Sequence, residues 1–441
     1  MGSTVSTLLG NGSDGLPTCS TKTQVAQELA KIAHETHASG AVVAVIRGTP
    51  GLAPFVKDVS DDRNEKPATK SGWFGWFRKE SSKESSKEEV KEDLTTDGIV
   101  ACWGFGDATT KHAMPLYTAS QLFTASAFAL LVKEGKVNLE DTCDKFLNAS
   151  SLDSITVGQL LTHRSGLSDS PIHAVLEVHR PNKGKIDCVT SLTHFNLYYP
   201  RGEVEDPRTW LHSAPRGEFA NLNYQILGTI LEQVTDKPFE EALKESVLDR
   251  VGCKDVAFST RDTKSPLVPG EMGWFTKQIL RFYLSRDTYS WIFDEEADRK
   301  FMGNYILEKK IDSNLMASSG LVGTVRSFAP LVHATLSNRF PEFMFAPLTK
   351  ERLGVASRLG GGIGWKSGYT EQVVDGEKIP FFNHEGGGLG FTTEIRIYPS
   401  LNIGMIVFLN VWNVDMKECW AIDRMCETIA KNSELFDKQE S

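Results

Sequence analysis

The stretch YTASQLFTASAFALLVKEGKV, Tyr117 to Val137, decides how this chain is read. From Phe123 onward it is a helix: Phe123, Ala127, Leu130 and Leu131 recur as one apolar stripe, and Gly135 sits where the helix stops. Thr118 and Gln121 stand at i and i+3 where that helix opens. Taken alone they read as hydrogen-bonded polar residues, with Thr118 an acceptable N-cap. Whether they also carry chemistry depends on the rest of the chain.

At 441 residues, 40% hydrophobic and 10% aromatic, the chain has ample material for a globular core. Its 48 basic and 57 acidic residues give a net charge of -9, and no long basic run follows a phosphate backbone, so nucleic-acid binding is set aside. The seven cysteines are scattered and never in metal-ligand spacing, which points to reduced thiols in a cytosolic protein rather than a disulfide framework or a structural zinc. No cofactor and no metal is expected. No apolar run reaches the roughly 18 residues of a membrane span, and no secretory signal is visible. The N-x-S matches at Asn11 and Asn148 are then accidental. MGSTVS does fit the myristoylation pattern, with Gly2 as acceptor, although one acyl chain holds a membrane only marginally.

A flexible tail (1–22) precedes one domain (23–435). Val25 to His37 reads as an amphipathic helix and SGAVVAVIRG (39–48) as a buried strand. Residues 49–97 are polar and of low complexity, an insertion between that strand and its expected hairpin partner, GIVACWGFGDA (98–108). Inside the insertion, Trp73, Phe74, Trp76 and Phe77 need an apolar surface: the protein's own groove, or a membrane interface if Gly2 is acylated. Helical patterns dominate 118–310. Near the end of that region GWFTKQILRFYLSRDTYSWIF (273–293) has Phe275, Ile279, Phe282 and Tyr283 at helical spacing, read either as a packed helix or as the wall of an apolar pocket. Strands return in FFNHEGGGLGFTTEIRIYPSLNIGMIVFLNVW, with a turn at Pro399 to Asn402, and a helix closes the chain from about Met416 to Asn432. The two termini therefore build an α/β (α+β) layer, an antiparallel sheet flanked by helices, around a mainly helical insert.

Several separate stretches, FTASAFALLVKEGKVNLEDTCDKFL, LLTHRSGL (160–167), YQILGTILEQVTDKPFEEAL, SSGLVGTVRSFAPLV (318–332), GGGIGW and HEGGGLGF (384–391), occur in an order that resembles the serine β-lactamase and penicillin-binding-protein superfamily, in its class C-like esterase and transesterase branch. The resemblance runs from about Val25 to Ala430. It implies a β-lactamase/transpeptidase-like fold and three motifs: Ser-x-x-Lys, Tyr-x-Asn, and Lys/His-x-Gly on a strand. A serine hydroxyl needs a base to become a nucleophile, and a lysine serves only with a depressed pKa. Anchored on Phe123-Thr124-Ala125, the nucleophile position falls on Thr118 and the lysine position on Gln121. A rival register uses Ser120 and puts Phe123 where lysine belongs. The second motif lands on Phe219-Ala220-Asn221, with the phenol lost, and the third on His384-Glu385-Gly386.

Two functional readings remain open. In one, the cleft is kept for a small molecule or a partner, without serine-hydrolase turnover. In the other, a repurposed tailoring enzyme (a hydrolase, transesterase, isomerase or cyclase) uses His384 as acid/base, with Glu385 beside it and the N–H groups of Gly386, Gly387 and Gly388 on an oxyanion. Because neighbours on a strand face opposite ways, Glu385 need not share a pocket with His384. Asn221 is expected to orient a ligand carbonyl, and His163 to support the helical region.

Overall fold

The computed structural model describes residues 19–36, 38–49, 97–147, 152, 155–165, 167, 219–260, 262–283, 304–307, 316–337, 364–365, 367–374, 376–388, 390–412 and 417–437. Gly2, Asn11, Asn148 and the aromatic segment of Trp73, Phe74, Trp76 and Phe77 lie outside them.

Chain ends that are far apart in sequence meet in one sheet. Helix α1 (Lys22–Glu35), capped by the Thr21 hydroxyl, leads into strand β1 (Gly40–Arg47), and β2 (Ile99–Gly106) returns beside it as its antiparallel partner. Four strands come from the C-terminal part: β3 (Ser367–Val374), β4 (Glu377–Gly388), β5 (Phe391–Tyr398) and β6 (Ile403–Leu409). The order β2-β1-β6-β5-β4-β3 is antiparallel throughout, closed by the β1–β6 register from Ala41 opposite Leu409 to Arg47 opposite Ile403. The turn into β6 uses Pro399 to Leu401 and a left-handed Asn402, a conformation asparagine tolerates.

GAVVAVIR is apolar without alternation because both faces of β1 are covered. Val43 and Val45 pack with Val25 and Leu29 of α1 and with Ile422, Met425 and Ile429 of the C-terminal helix (Lys417–Lys431). Val42, Ala44 and Ile46 face the other way, toward a larger core. That core holds α2 (Gln121–Lys133), α3 (Asn221–Thr235) and a helix at Val325–Leu336. Helix α2 is buried nearly all round, so it needs no polar face and runs through the middle of the helical region.

Three sequence expectations change. Thr118 is not an N-cap: Tyr117–Ser120 form a 3-10 turn and the α-helix begins only at Gln121, because the Thr118 hydroxyl is drawn to the neighbouring strand. The mainly helical stretch also contains a strand pair, Gly270–Gly273 with Asn304–Leu307, stitched to the main sheet where Glu271 N–H donates to Asn410 O (2.8 Å). The packed-helix reading of the GWFTKQILRFY segment changes at two of its residues: the helix Trp274–Tyr283 forms, but Phe275 and Phe282, like Trp274, are exposed while Thr276 is buried, and the side chains of Ile279 and Tyr283 lie outside those described.

On the outer face of the sheet Arg396, 1% exposed, donates from Nε to Glu394 Oε1 at 2.6 Å and also pairs with Asp423 of the C-terminal helix. Asn383 adds a bond to the same Glu394 oxygen (3.0 Å). Burial pushes the Glu394 carboxyl up to about 7; Arg396 pulls it down, and the charges of Glu385 and Asp423 add to the rise. The guanidinium has two carboxylates to hold its charge, whereas Glu394 shares one cation with Asp423. A raised carboxyl pKa means that the folded chain binds the proton more tightly than the unfolded one. This contribution to stability is complete below the ordinary carboxylate range and lost as pH rises through about 7. Thermal unfolding is therefore expected to show a midpoint that falls between pH 5 and pH 8, with a shallower fall in Glu394→Gln; an equally steep fall in the variant contradicts this assignment.

Candidate functional site

The site forms where the turn carrying Thr118 lies along the edge of β4. Strand β3 pairs with β4 only as far as Asn383, so among the described residues β4 is paired beyond that point on one side, by β5. Thr118 Oγ1 donates to the Glu385 carbonyl on this edge at 2.9 Å. Because residues i and i+2 of a strand aim their N–H and C=O groups the same way, the Gly387 N–H also faces that edge. The approach is close enough to require glycine. A Cβ on Gly386 would stand 1.9 Å from the Leu116 carbonyl oxygen, and one on Gly388 would stand 2.2 Å from the Tyr117 ring. Gly387 points the other way, its nearest neighbour being the Trp412 side chain at 3.2 Å.

Gln121 is the centre of the site and has no exposure to solvent. Its amide nitrogen donates to Asn221 Oδ1 (3.1 Å), while its Oε1 faces Nε2 of His163 (3.1 Å) and Nε2 of His384 (3.4 Å). The protonation of His163 follows from its other nitrogen. Nδ1 meets two donors, the Ala220 N–H (3.3 Å) and the Asn223 amide (3.1 Å), so it accepts and the proton sits on Nε2, directed at Gln121. Asn223 is oriented in turn by the Ser165 hydroxyl, which donates to its Oδ1 at 2.6 Å. His384 differs. Its Nδ1 lies 2.8 Å from the Glu385 carbonyl, so each ring nitrogen faces an oxygen that can only accept, an arrangement that an imidazolium satisfies at both positions. Phe219 stacks on His163 with centroids 4.5 Å apart and stands edge-on to His384 at 6.4 Å.

Thr118, Gln121, Phe219, Asn221 and His384 are thus brought together around one amide. Ser120 is not with them: it is buried and accepts the Leu321 N–H (3.1 Å), which ties the turn to the loop after Met316–Ser319. The Glu385 side chain is not there either. In the β4–β5 register Glu385 lies opposite Glu394, on the outer face with Arg396, whereas His384 lies opposite Ile395 on the inner face. The strand's alternation separates the expected His384–Glu385 pair, and only the backbone carbonyl of Glu385 takes part.

Two left-handed residues mark the same place. Among the described residues five non-glycines have positive φ; Asp236, Asp255, Asn402 and His163 (53°) are of types that tolerate it, but Tyr117 (46°) is a bulky residue for which it is unusual. Tyr117 and His163 flank Thr118 and Gln121, and each costs about 1–3 kcal/mol that the surrounding packing must offset. His163 is the member of the site that the sequence assigned to a supporting role. Its only sequence signal was the spacing of LLTHRSGL, which did not show that the imidazole reaches Gln121.

The family model for Beta-lactamase matches residues 93–424, well over half of the chain. The chain belongs to this family. Over 163 residues it is 26% identical to Protein flp of Staphylococcus aureus (strain MW2), covering 36% of this chain and 30% of that protein. It is 23% identical over 306 residues to a penicillin-binding protein of Bacillus subtilis (strain 168), covering 67% of this chain and 61% of the other. It thus spans about a third to three fifths of the length of these relatives. Among solved structures it is similar to D-amino acid amidase from Ochrobactrum anthropi SV3 (TM-score 0.60, 17% identity, 93% of this chain and 99% of that one). It is also similar to an octameric penicillin-binding protein homologue from Pyrococcus abyssi (TM-score 0.59, 19% identity, 93% and 78%). At such identity these likenesses speak for the fold, an antiparallel sheet with helices on both faces.

The glycines give a direct test of the seam. Gly386→Ala is expected to lower stability by about 1–3 kcal/mol or more through overpacking, because its neighbour is backbone rather than a movable side chain. Gly387→Ala, which meets only the Trp412 ring, is expected to cost under about 1 kcal/mol. Denaturant unfolding of both variants measures the contrast, and equal losses contradict the geometry.

Proposed function

We infer that this chain keeps the cleft of its family as a binding site for a small organic ligand and does not carry out serine-type acyl transfer. One observation carries the reading: at Gln121, one helical turn from Thr118, stands an amide that bridges Asn221, His163 and His384. An amide cannot take up a proton at neutral pH. The Thr118 hydroxyl gives its hydrogen to a backbone carbonyl, which cannot accept it as a base does. At the position read as the family's phenol, Phe219 offers a ring face and no proton.

The resulting site is suited to recognition. Its donors and acceptors are held by partners of fixed geometry, Phe219 gives an apolar surface, and the exposed Gly387 on the open edge of β4 supplies a backbone N–H for a ligand carbonyl or carboxylate. The rival reading, an acid/base enzyme built on His384, loses its expected partner because the Glu385 side chain lies on the other face of the sheet. His384 alone, hydrogen-bonded to the Glu385 carbonyl and the Gln121 amide, stands better as a positive or donating wall of the site than as a proton shuttle.

Restoring the missing chemistry tests this. The triple variant Thr118→Ser, Gln121→Lys, Phe219→Tyr is expected to gain hydrolysis of a p-nitrophenyl ester by at least about 10²-fold over the wild-type protein, and to acquire a covalent label from a fluorescent penicillin. The parent chain is expected to show neither. Rapid ester turnover by the parent that Thr118→Ala abolishes is the result that overturns the reading.

A further inference from the structure

Arg164 stands between two members of the Gln121 network. On one side His163 faces Gln121 at 3.1 Å and stacks on Phe219 with centroids 4.5 Å apart; on the other Ser165 donates to Asn223 at 2.6 Å. The backbone between them is fixed, because the Arg164 N–H donates to the Gln159 carbonyl at 2.7 Å after the short helix Val157–Leu161. Thr118, Phe219 and Asn221 are partly exposed and form the accessible rim of a site whose centre, Gln121, is closed to solvent. Arg164 is half-buried beside this rim, and from a position next to His163 its long side chain has the rim within reach.

Its charge sets Arg164 apart. Among the described residues Arg47, Arg250, Arg326, Arg396 and Arg424 each hold a carboxylate. Among the same residues the Arg164 guanidinium holds none, and burial lowers its pKa from the usual arginine value with no neighbouring charge to oppose it. It stays charged at neutral pH all the same. Burying part of a cation removes water from it, and here no carboxylate among the described residues offsets that cost. The chain is acidic overall, at -9, so a shortage of acids is not the reason.

The surroundings lack negative charge as well. Around Gln121 stand Thr118, His163, Phe219, Asn221, Asn223 and His384, none of them acidic, and the first turn of α3 has no acid either. The Glu385 carboxylate lies on the outer face of the sheet. His384, with both ring nitrogens facing acceptors, adds positive character.

We propose that Arg164 is the anion-binding group of this cleft, and that the ligand carries an oxyanion, a carboxylate or a phosphate, beside a flat apolar part that lies on Phe219. The proposal rests on the reading of the cleft as a binding site and adds the ligand's charge to it. A guanidinium meets either oxyanion with two parallel N–H···O bonds, a geometry that a neutral amide or ester does not complete. Selection for charge then sits on the loop that carries His163, apart from the edge of β4.

Three probes with one ring system test this: 1-naphthoate, 1-naphthyl phosphate and the neutral 1-naphthamide, each titrated calorimetrically into the full chain. At least one anion is expected to bind about tenfold or more tighter than the amide, the worth of a charge-assisted hydrogen bond. The tighter of the two anions identifies the oxyanion. Arg164→Gln is expected to abolish the difference, with a thermal midpoint no lower than the parent's because a half-buried cation without a carboxylate is removed. Arg164→Lys, which keeps the charge but not the planar fork, is expected to retain part of the difference. Equal binding of the three probes by the parent overturns the proposal, as does binding of none, or a preference for anions that survives in Arg164→Gln. The reading of the cleft as a binding site falls on a different result, ester turnover that Thr118→Ala abolishes.

Discussion

The seam between sheet and helical region is held by one close approach, the segment Leu116 to Thr118 lying against Glu385 to Gly388 at the open edge of β4. Three contacts fix it: the Thr118 hydroxyl on the Glu385 carbonyl, the Thr393 hydroxyl on the Leu116 carbonyl at 3.0 Å, and the Tyr117 ring over Gly388. Everything in the site takes its position from this contact. It sets where the 3-10 turn ends and α2 begins, hence where Gln121 projects, and it presents His384 from the inner face of the strand toward that amide. The left-handed Tyr117 is the backbone consequence, because the chain must turn sharply after Leu116 to bring Thr118 to the strand edge.

Around Gln121 the chemistry is one of mutual satisfaction. A buried polar group without a partner costs about 1–3 kcal/mol, and here the amide, two imidazoles and two asparagines would each bear that cost if isolated. Linked, they offset one another: Gln121 joins His163, His384 and Asn221, and Asn223 with Ser165 completes the chain behind His163. An ammonium at residue 121 would add a buried charge and give donors only. The amide gives a donor and an acceptor, and the acceptor is what His163 Nε2–H requires. The network is thus internally consistent with glutamine, without a base.

Much of the fold was legible because it rests on patterns with few competing explanations. The short apolar run in GAVVAVIR, rich in β-branched residues and closed by a glycine, read as a buried strand, and the helix from Gln121 to Lys133 was announced by its stripe and its terminal glycine. The residues of the site were legible as types and spacing, and the structure brings Thr118, Gln121, Phe219, Asn221 and His384 to one place. What sequence did not convey was direction. Alternation already set Glu385 and His384 on opposite faces of their strand; that Glu385 is the one on the outer face, with Arg396, is visible only once the register with β5 is known. Thr118 looks like a helix cap until the strand that competes for its hydroxyl is in place. The aromatics of the Trp274 helix have the spacing of a packed face, and periodicity alone cannot tell a face turned inward from one turned outward.

Strain and satisfaction together bear on what the cleft is for. Tyr117 and His163 hold left-handed backbone at about 1–3 kcal/mol each, which the packing of Tyr117 in the core and of His163 on Tyr224 helps to offset. Both residues serve to place groups around Gln121. Since the amide there leaves no proton acceptor for the Thr118 hydroxyl, that placement favours fixed geometry over reactivity. On the proposed reading, a ligand entering such a site meets few polar groups still to be ordered, so the reorganisation cost of binding is small. On the proposed reading, selectivity then comes from the groups with some exposure at the edge of β4, the Gly387 backbone and the Phe219 ring, with His384 buried behind them. On the proposed reading, a network fixed around an amide at residue 121 suits the cleft to recognition rather than to acyl transfer.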